Sequence, residues 1–146
     1  MYSIRLLFFG VILFALSCGL AQAQSVSSGD ITVHYSAIPT TTLTPEVAKQ
    51  YGITRSANRA LLNVSVRKGK PGADTAVPSV VTAAASNLNG QRQSISLREV
   101  KDGEAVYYLG EARVSGNETL SFEIEVTPTE RHTPIQVSFR QEFFVN

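Results

Sequence analysis

Cysteine is nearly missing from this chain: Cys18 is the only one in 146 residues. It falls inside an N-terminal stretch that reads as a removable leader, so the mature chain is expected to hold no thiol. That excludes a disulfide framework and a cysteine nucleophile, and it leaves stability to apolar burial. Tryptophan is absent and histidine occurs twice, as His34 and His132. A triad hydrolase needs a histidine base, and zinc sites draw on clusters of Cys, His and carboxylates. Two histidines far apart in sequence, with no G-x-S-x-G turn, leave little for either chemistry. Apolar runs are short beyond Leu6–Leu16, LLFFGVILFAL. That run falls below the roughly 20 residues of a membrane span.

The same run sits in a recognisable frame. Arg5 supplies a positive start, and Ala21-Gln22-Ala23 is a small-x-small cleavage pattern. Residues 1–23 are expected to be a signal peptide cut after Ala23, leaving Gln24 first. Two alternatives stay open. The run could remain as an uncleaved anchor. Cys18, after Ala15-Leu16-Ser17, could be lipidated, although a lipobox wants its leucine where Ala15 stands. Export without an anchor is the favoured reading, and it leaves no integral membrane span in the mature form.

Removing 23 of the 146 residues leaves 123, the size of one domain. Of 13 basic residues one is Arg5, so the mature chain sets 12 basic against 12 acidic side chains. A nucleic-acid footprint needs a concentrated basic face, and none is present.

What the chain does have is alternation. Ile31, Val33, Tyr35 and Ala37 alternate with polar residues, and Pro39 closes that strand. Thr44-Pro45 opens a short helix and Gly52 stops it, with Val47, Ala48 and Tyr51 on one face. A helix under two turns cannot stand alone and is expected to dock on the end of a sheet. Further strands are predicted near Leu62–Arg67, Val77–Leu88, Gln91–Val100, Ala105–Val114, Leu120–Val126 and Ile135–Val145. Ser25–Gly29 reads as a mobile lead-in. Asn89-Gly90 and Asp102-Gly103 mark tight turns. A two-residue turn at Asn89-Gly90 would pair Ala84 with Ile95 and mix faces, so a bulge or a crossing between sheets is expected there. The Asp102-Gly103 turn aligns Ile95 with Gly110, and a three-residue loop Gly116–Glu118 aligns Gly110 with Ile124. Glycine would then leave room for bulk from the facing sheet. The expected fold is all-β: an immunoglobulin-like antiparallel β-sandwich of about seven strands, with one short helix after the first.

The run HYSAIPTTTLTPEVAKQYGITRSANRALLNVSV resembles the opening of a proteobacterial family of exported proteins, domain-of-unknown-function family 4426. LREVKDGEAVYYLGEARVSGNETLSFEIEV and FRQEFFVN resemble its second half. The landmarks are Leu43 to Ala48, Tyr51-Gly52-Ile53, Arg55 and Asn58-Arg59-Ala60. The resemblance implies a Gram-negative envelope protein and an immunoglobulin-like sandwich, and it brings no catalytic residues.

The best binding candidates are Arg55, Arg59 and Arg67 with Tyr51, because guanidiniums grip carboxylate or phosphate bidentately. The competing reading has the arginines tying the loop to the sandwich through backbone carbonyls. Phe143 and Phe144 could join an apolar contact if Phe144 faces outward. Glu123 and Glu125 share a strand face, which suits a glycosidase pair or a plain solvated face; the latter is favoured. The function expected is a non-catalytic binding or accessory module of the periplasm, engaging an envelope protein or a small anionic ligand. The alternatives are a small metal-dependent or hydrolytic enzyme using His34 and His132, and a lipid-anchored envelope protein. No cofactor and no metal site is expected.

Overall fold

The structure, a computed structural model, describes residues 24–145. The expected leader, its cut after Ala23 and Cys18 lie outside the described residues. The chain folds into two antiparallel sheets packed face to face. One holds β1 (Gln24–Ser28), β2 (Ile31–Pro39), β3 (Arg59–Lys68), β4 (Thr75–Ala76), β7 (Arg98–Asp102) and β8 (Ala105–Arg113). Its order is β1-β2-β3-β8-β7, with β4 paired to β3. The other holds β5 (Ser79–Ser86), β6 (Arg92–Ile95), β9 (Glu118–Pro128) and β10 (Ile135–Phe143), in the order β10-β9-β5-β6. One helix, α1 (Pro45–Tyr51), follows β2. The expected sandwich is therefore the fold, built from ten short strands instead of seven.

Alternation sets the core. Ile31, Val33, Tyr35 and Ala37 of β2 face inward with Ala60, Leu62, Val64 and Val66 of β3. Leu120, Phe122, Ile124 and Val126 of β9 meet them from the other sheet. Phe122 stacks on Phe139 at 4.9 Å between ring centroids, and Tyr35 tilts against Phe139 at 4.7 Å. Each fully buried side chain of this size contributes about 1.5–3 kcal/mol. Phe143 is buried and Phe144 faces outward.

Several expectations are corrected. The lead-in is β1, an edge strand hydrogen-bonded along β2 from Gln24↔Tyr35 to Ser28↔Ile31. Its residues are small and polar because an edge strand buries little; only Val26 packs on the core. The stretch Gln91–Val100 is two strands, since it leaves one sheet after Ile95 and joins the other at Arg98; at Asn89-Gly90 itself there is neither bulge nor crossing, because β5 and β6 pair in unbroken register within one sheet. The turn before it is a three-residue loop, Leu88–Gly90, with Gly90 at φ +79°. The pairing is Ala83↔Ile95, which puts both side chains inward. The turn after β7 is Gly103-Glu104, with Asp102 opposite Ala105. A two-residue hairpin needs a positive φ at its first central position, and Gly103 supplies it at +59°. β8 and β9 do not form a hairpin at all: they belong to different sheets. Gly110 consequently lies beside Leu62, not between Ile95 and Ile124 as strand neighbours. It still makes room for bulk, because the crossing segment Ile95–Leu97 passes directly over it.

Candidate functional site

The helix does not cap the end of a sheet. It lies on the outer face of the six-stranded sheet, and the reason is local. Thr44 accepts a hydrogen bond from Val47 N at 3.2 Å, Pro45 takes the first helical position, and Gly52 closes the helix in the left-handed conformation. Ile53 N then bonds back to Ala48 O at 2.8 Å, which returns the Ile53 side chain to the helix's apolar face. Ala48 and Ile53 bury against Leu61 of β3 and Leu109 of β8. This small second core is separate from the sandwich interior.

Polar ties hold the segment in place. Thr40 is fully buried; its hydroxyl donates to Ser56 O at 3.0 Å and accepts from Ser56 N at 2.9 Å. The Arg98 guanidinium donates to the Tyr51 carbonyl. The Tyr51 hydroxyl donates to Asp102 Oδ2 at 3.1 Å, and that bond, ahead of desolvation, holds the phenol above its ordinary value. Both of these last partners stand on β7.

Between helix and sheet a cleft of about 240 Å³ remains, with Ser36, Ile38, Leu43, Val47 and Tyr51 on one part of its wall and Ile53, Leu61, Asn63, Tyr107 and Leu109 on the rest. None of these side chains is charged. Asn63 Oδ1 is closed off from solvent and has no hydrogen-bond partner among the described residues. Strand register sets Asn63 between Ser36 of β2 and Leu109 of β8.

The structure separates the residues singled out from sequence. Tyr51 lines the cleft. Arg55 donates to Thr41 O at 3.2 Å. Arg59 pairs with Glu111 at 3.4 Å on an exposed surface. Arg67 stands at the far end of β3, eight residues and about 26 Å from Arg59. It clamps the following loop through Asp74 Oδ1 at 3.0 Å and Asp74 O at 2.9 Å. A larger depression of about 490 Å³ includes this pair with Glu99, Lys101 and Glu104. There the guanidinium is already engaged by the loop it holds. His34 is exposed in mid-β2 and His132 is exposed in the loop between β9 and β10. Among the described residues no three of His, Cys, Asp and Glu gather into a possible metal site. Glu123 meets Arg92 at 2.5 Å and Glu125 accepts from Gln136 at 2.7 Å, both on a solvated face.

Sequence reasoning missed Ile38, Leu61, Asn63, Tyr107 and Leu109. A signal was there. Ala37-Ile38, Leu61-Leu62 and Tyr107-Tyr108-Leu109 are unbroken apolar steps within alternating strands. A strand apolar on both parities is covered on both faces.

The family described as "Domain of unknown function (DUF4426)" matches residues 25–146. The fold is similar to a DUF4426 family protein of Pseudomonas aeruginosa PAO1, with 31% identity and a TM-score of 0.72. That similarity covers 85% of this chain and 96% of the Pseudomonas chain. Two structures of FetP from uropathogenic Escherichia coli strain F11 share the fold at a TM-score of 0.59. One is a copper-bound variant, at 11% identity over 85% of this chain and 96% of FetP; the other, at 12%, was produced in the periplasm and matches over 84% and 93%. No curated protein matches the sequence. Among the described residues no helix is long and apolar enough to cross a membrane.

Proposed function

This chain belongs to the DUF4426 family, and from that premise we propose that it is a non-catalytic binding module of the Gram-negative periplasm, with the cleft under α1 as its site. The observation that carries the reading is the cleft itself. A seven-residue helix is held over an outer sheet face by Thr40, Arg98 and Tyr51, and the space beneath it is apolar and uncharged. Concave, mostly apolar pockets with a few convergent polar groups are the usual form of small-molecule sites. In this reading residues 1–23 are removed after Ala23 and residues 24–146 act as one domain. Tyr51 belongs to the site, and the ligand is neutral, because an ion would lose its water without gaining a partner. The three arginines serve as ties within the fold.

Methyl-resolved NMR on the mature protein tests this. Adding phenol is expected to move the methyl signals of Ile38, Leu43, Leu61 and Leu109. If those signals stay still while phosphate shifts the guanidinium signals of Arg55 and Arg59, the site lies at the arginines and the cleft reading is overturned. Mass spectrometry of the exported N-terminus is expected to find Gln24; a diacylated Cys18 would replace the free periplasmic form with an anchored one.

A further inference from the structure

Resting on the cleft as binding site, we infer that its ligand is a neutral, ring-sized apolar molecule carrying one N–H or O–H donor, and that the donor meets Asn63 Oδ1. Three observations converge. First, the walls carry no charge, so the ligand carries none. Second, about 240 Å³ lies below the roughly 300–1,000 Å³ of clefts that take drug-sized molecules. One or two rings fill that space. Third, Asn63 stands on the outer parity of β3 next to Leu61, Leu109 and Ile38, where an aliphatic side chain would pack better. Its carbonyl oxygen is instead buried without a donor.

Such an oxygen is costly when unpaired and strongly favours any donor brought to it. The backbone groups of β3 are committed to β2 and β8. Ser36, directly across on β2, makes no bond to it. The open space beside Asn63 is the cleft, and a turn of the amide toward that space reaches a ligand donor while the ring covers Leu61 and Leu109. A ring without the donor fills the same apolar volume but leaves the oxygen unsatisfied. The site therefore discriminates by one hydrogen bond.

The absence of tryptophan makes the test direct, because indole fluorescence has no indole background from the protein. Indole and 1-methylindole, which lacks the N–H, are titrated into the mature protein. Indole is expected to bind on the order of ten-fold more tightly, the factor that one buried acceptor left unpaired commands. Asn63→Leu is expected to keep both rings bound and to erase the difference. Equal binding of the two rings to the wild-type protein overturns the donor inference and leaves the cleft reading standing. Binding of neither ring, with the thermal melt intact, overturns both. A tryptophan amide binding more than ten-fold tighter than indole would make the ligand a peptide side chain and overturn the small-molecule assignment. Should Asn63→Leu fail to fold, the ratio of indole to 1-methylindole in the wild-type protein decides alone.

Discussion

Adding a single methyl group at Gly110 probes the sheet crossing that shapes this molecule. An alanine Cβ there would lie 2.6 Å from Ile95 Cγ2, 2.8 Å from Leu97 Cδ2 and 2.8 Å from Ser96 O. Carbon contacts settle near 3.5–4.0 Å, so each neighbour must retreat by roughly 0.6 Å or more. Ile95 and Leu97 are the two ends of a short segment that steps between sheets, and Ser96 O is backbone. The two methyls can give only by turning their side chains, and the Ser96 carbonyl can move only with the crossing segment itself. Overpacking typically costs about 1–3 kcal/mol, and a clash with backbone belongs at the upper end. For a domain of this size a loss of about 2–3 kcal/mol lowers the melting temperature by roughly 8–12 °C. Differential scanning calorimetry of the mature protein and Gly110→Ala reads this directly. A control separates sterics from backbone strain. Gly103 has a positive φ but open space, so Gly103→Ala meets no neighbour and reads the backbone cost alone. A melting temperature for Gly110→Ala within about two degrees of wild type would mean that no chain passes over this glycine, and the crossing would be refuted.

Two further outcomes are expected. Thr40→Val keeps the shape but removes both bonds to Ser56, and the half-buried Ser56 amide left without its acceptor should cost about 1–2 kcal/mol; urea denaturation reads the loss, and faster hydrogen exchange confined to Ser56 and α1 would locate it. Stability should also fall at alkaline pH. Burial, ahead of its other influences, lifts the Tyr108 phenol above 10.0, although the Ser79 amide donating to its oxygen opposes this. Lys68 is raised chiefly by its bond to Glu130, and Tyr51 by Asp102. Each group holds its proton more firmly when folded, so its contribution is complete below about pH 10 and drains away above it. The urea midpoint should decline through that range and Tyr108→Phe should flatten part of the decline; a midpoint that rises instead contradicts the assignment.

Much of this fold could be read from the residues because its causes are local. Thr44, Pro45 and Gly52 bracket α1, since capping and a left-handed stop depend on near neighbours only. The inward rows of β2, β3 and β9 follow from a two-residue repeat that any half-buried strand must obey. Turn chemistry was harder. The turn before β6 is one residue longer than the dipeptide suggests and the turn after β7 sits one residue later, because a glycine dipeptide names the bend but not its length or register. The cleft was legible only as adjacent apolar pairs, and nothing local distinguishes Asn63 from any other polar residue on a strand.

Sequence alone determined that residues 24–146 hold no cysteine, balance 12 basic against 12 acidic side chains, and alternate as strands around one capped helix, because each of those properties is a count or a short-range rule. The tertiary structure decided which sheet each strand joins, since alternation looks the same in either. It also decided that the chain steps across at Ile95–Leu97 and that α1 lies on a sheet face above Asn63. Those outcomes depend on contacts between residues dozens of positions apart, where packing and the pairing of backbone groups choose among arrangements that local preferences leave equal.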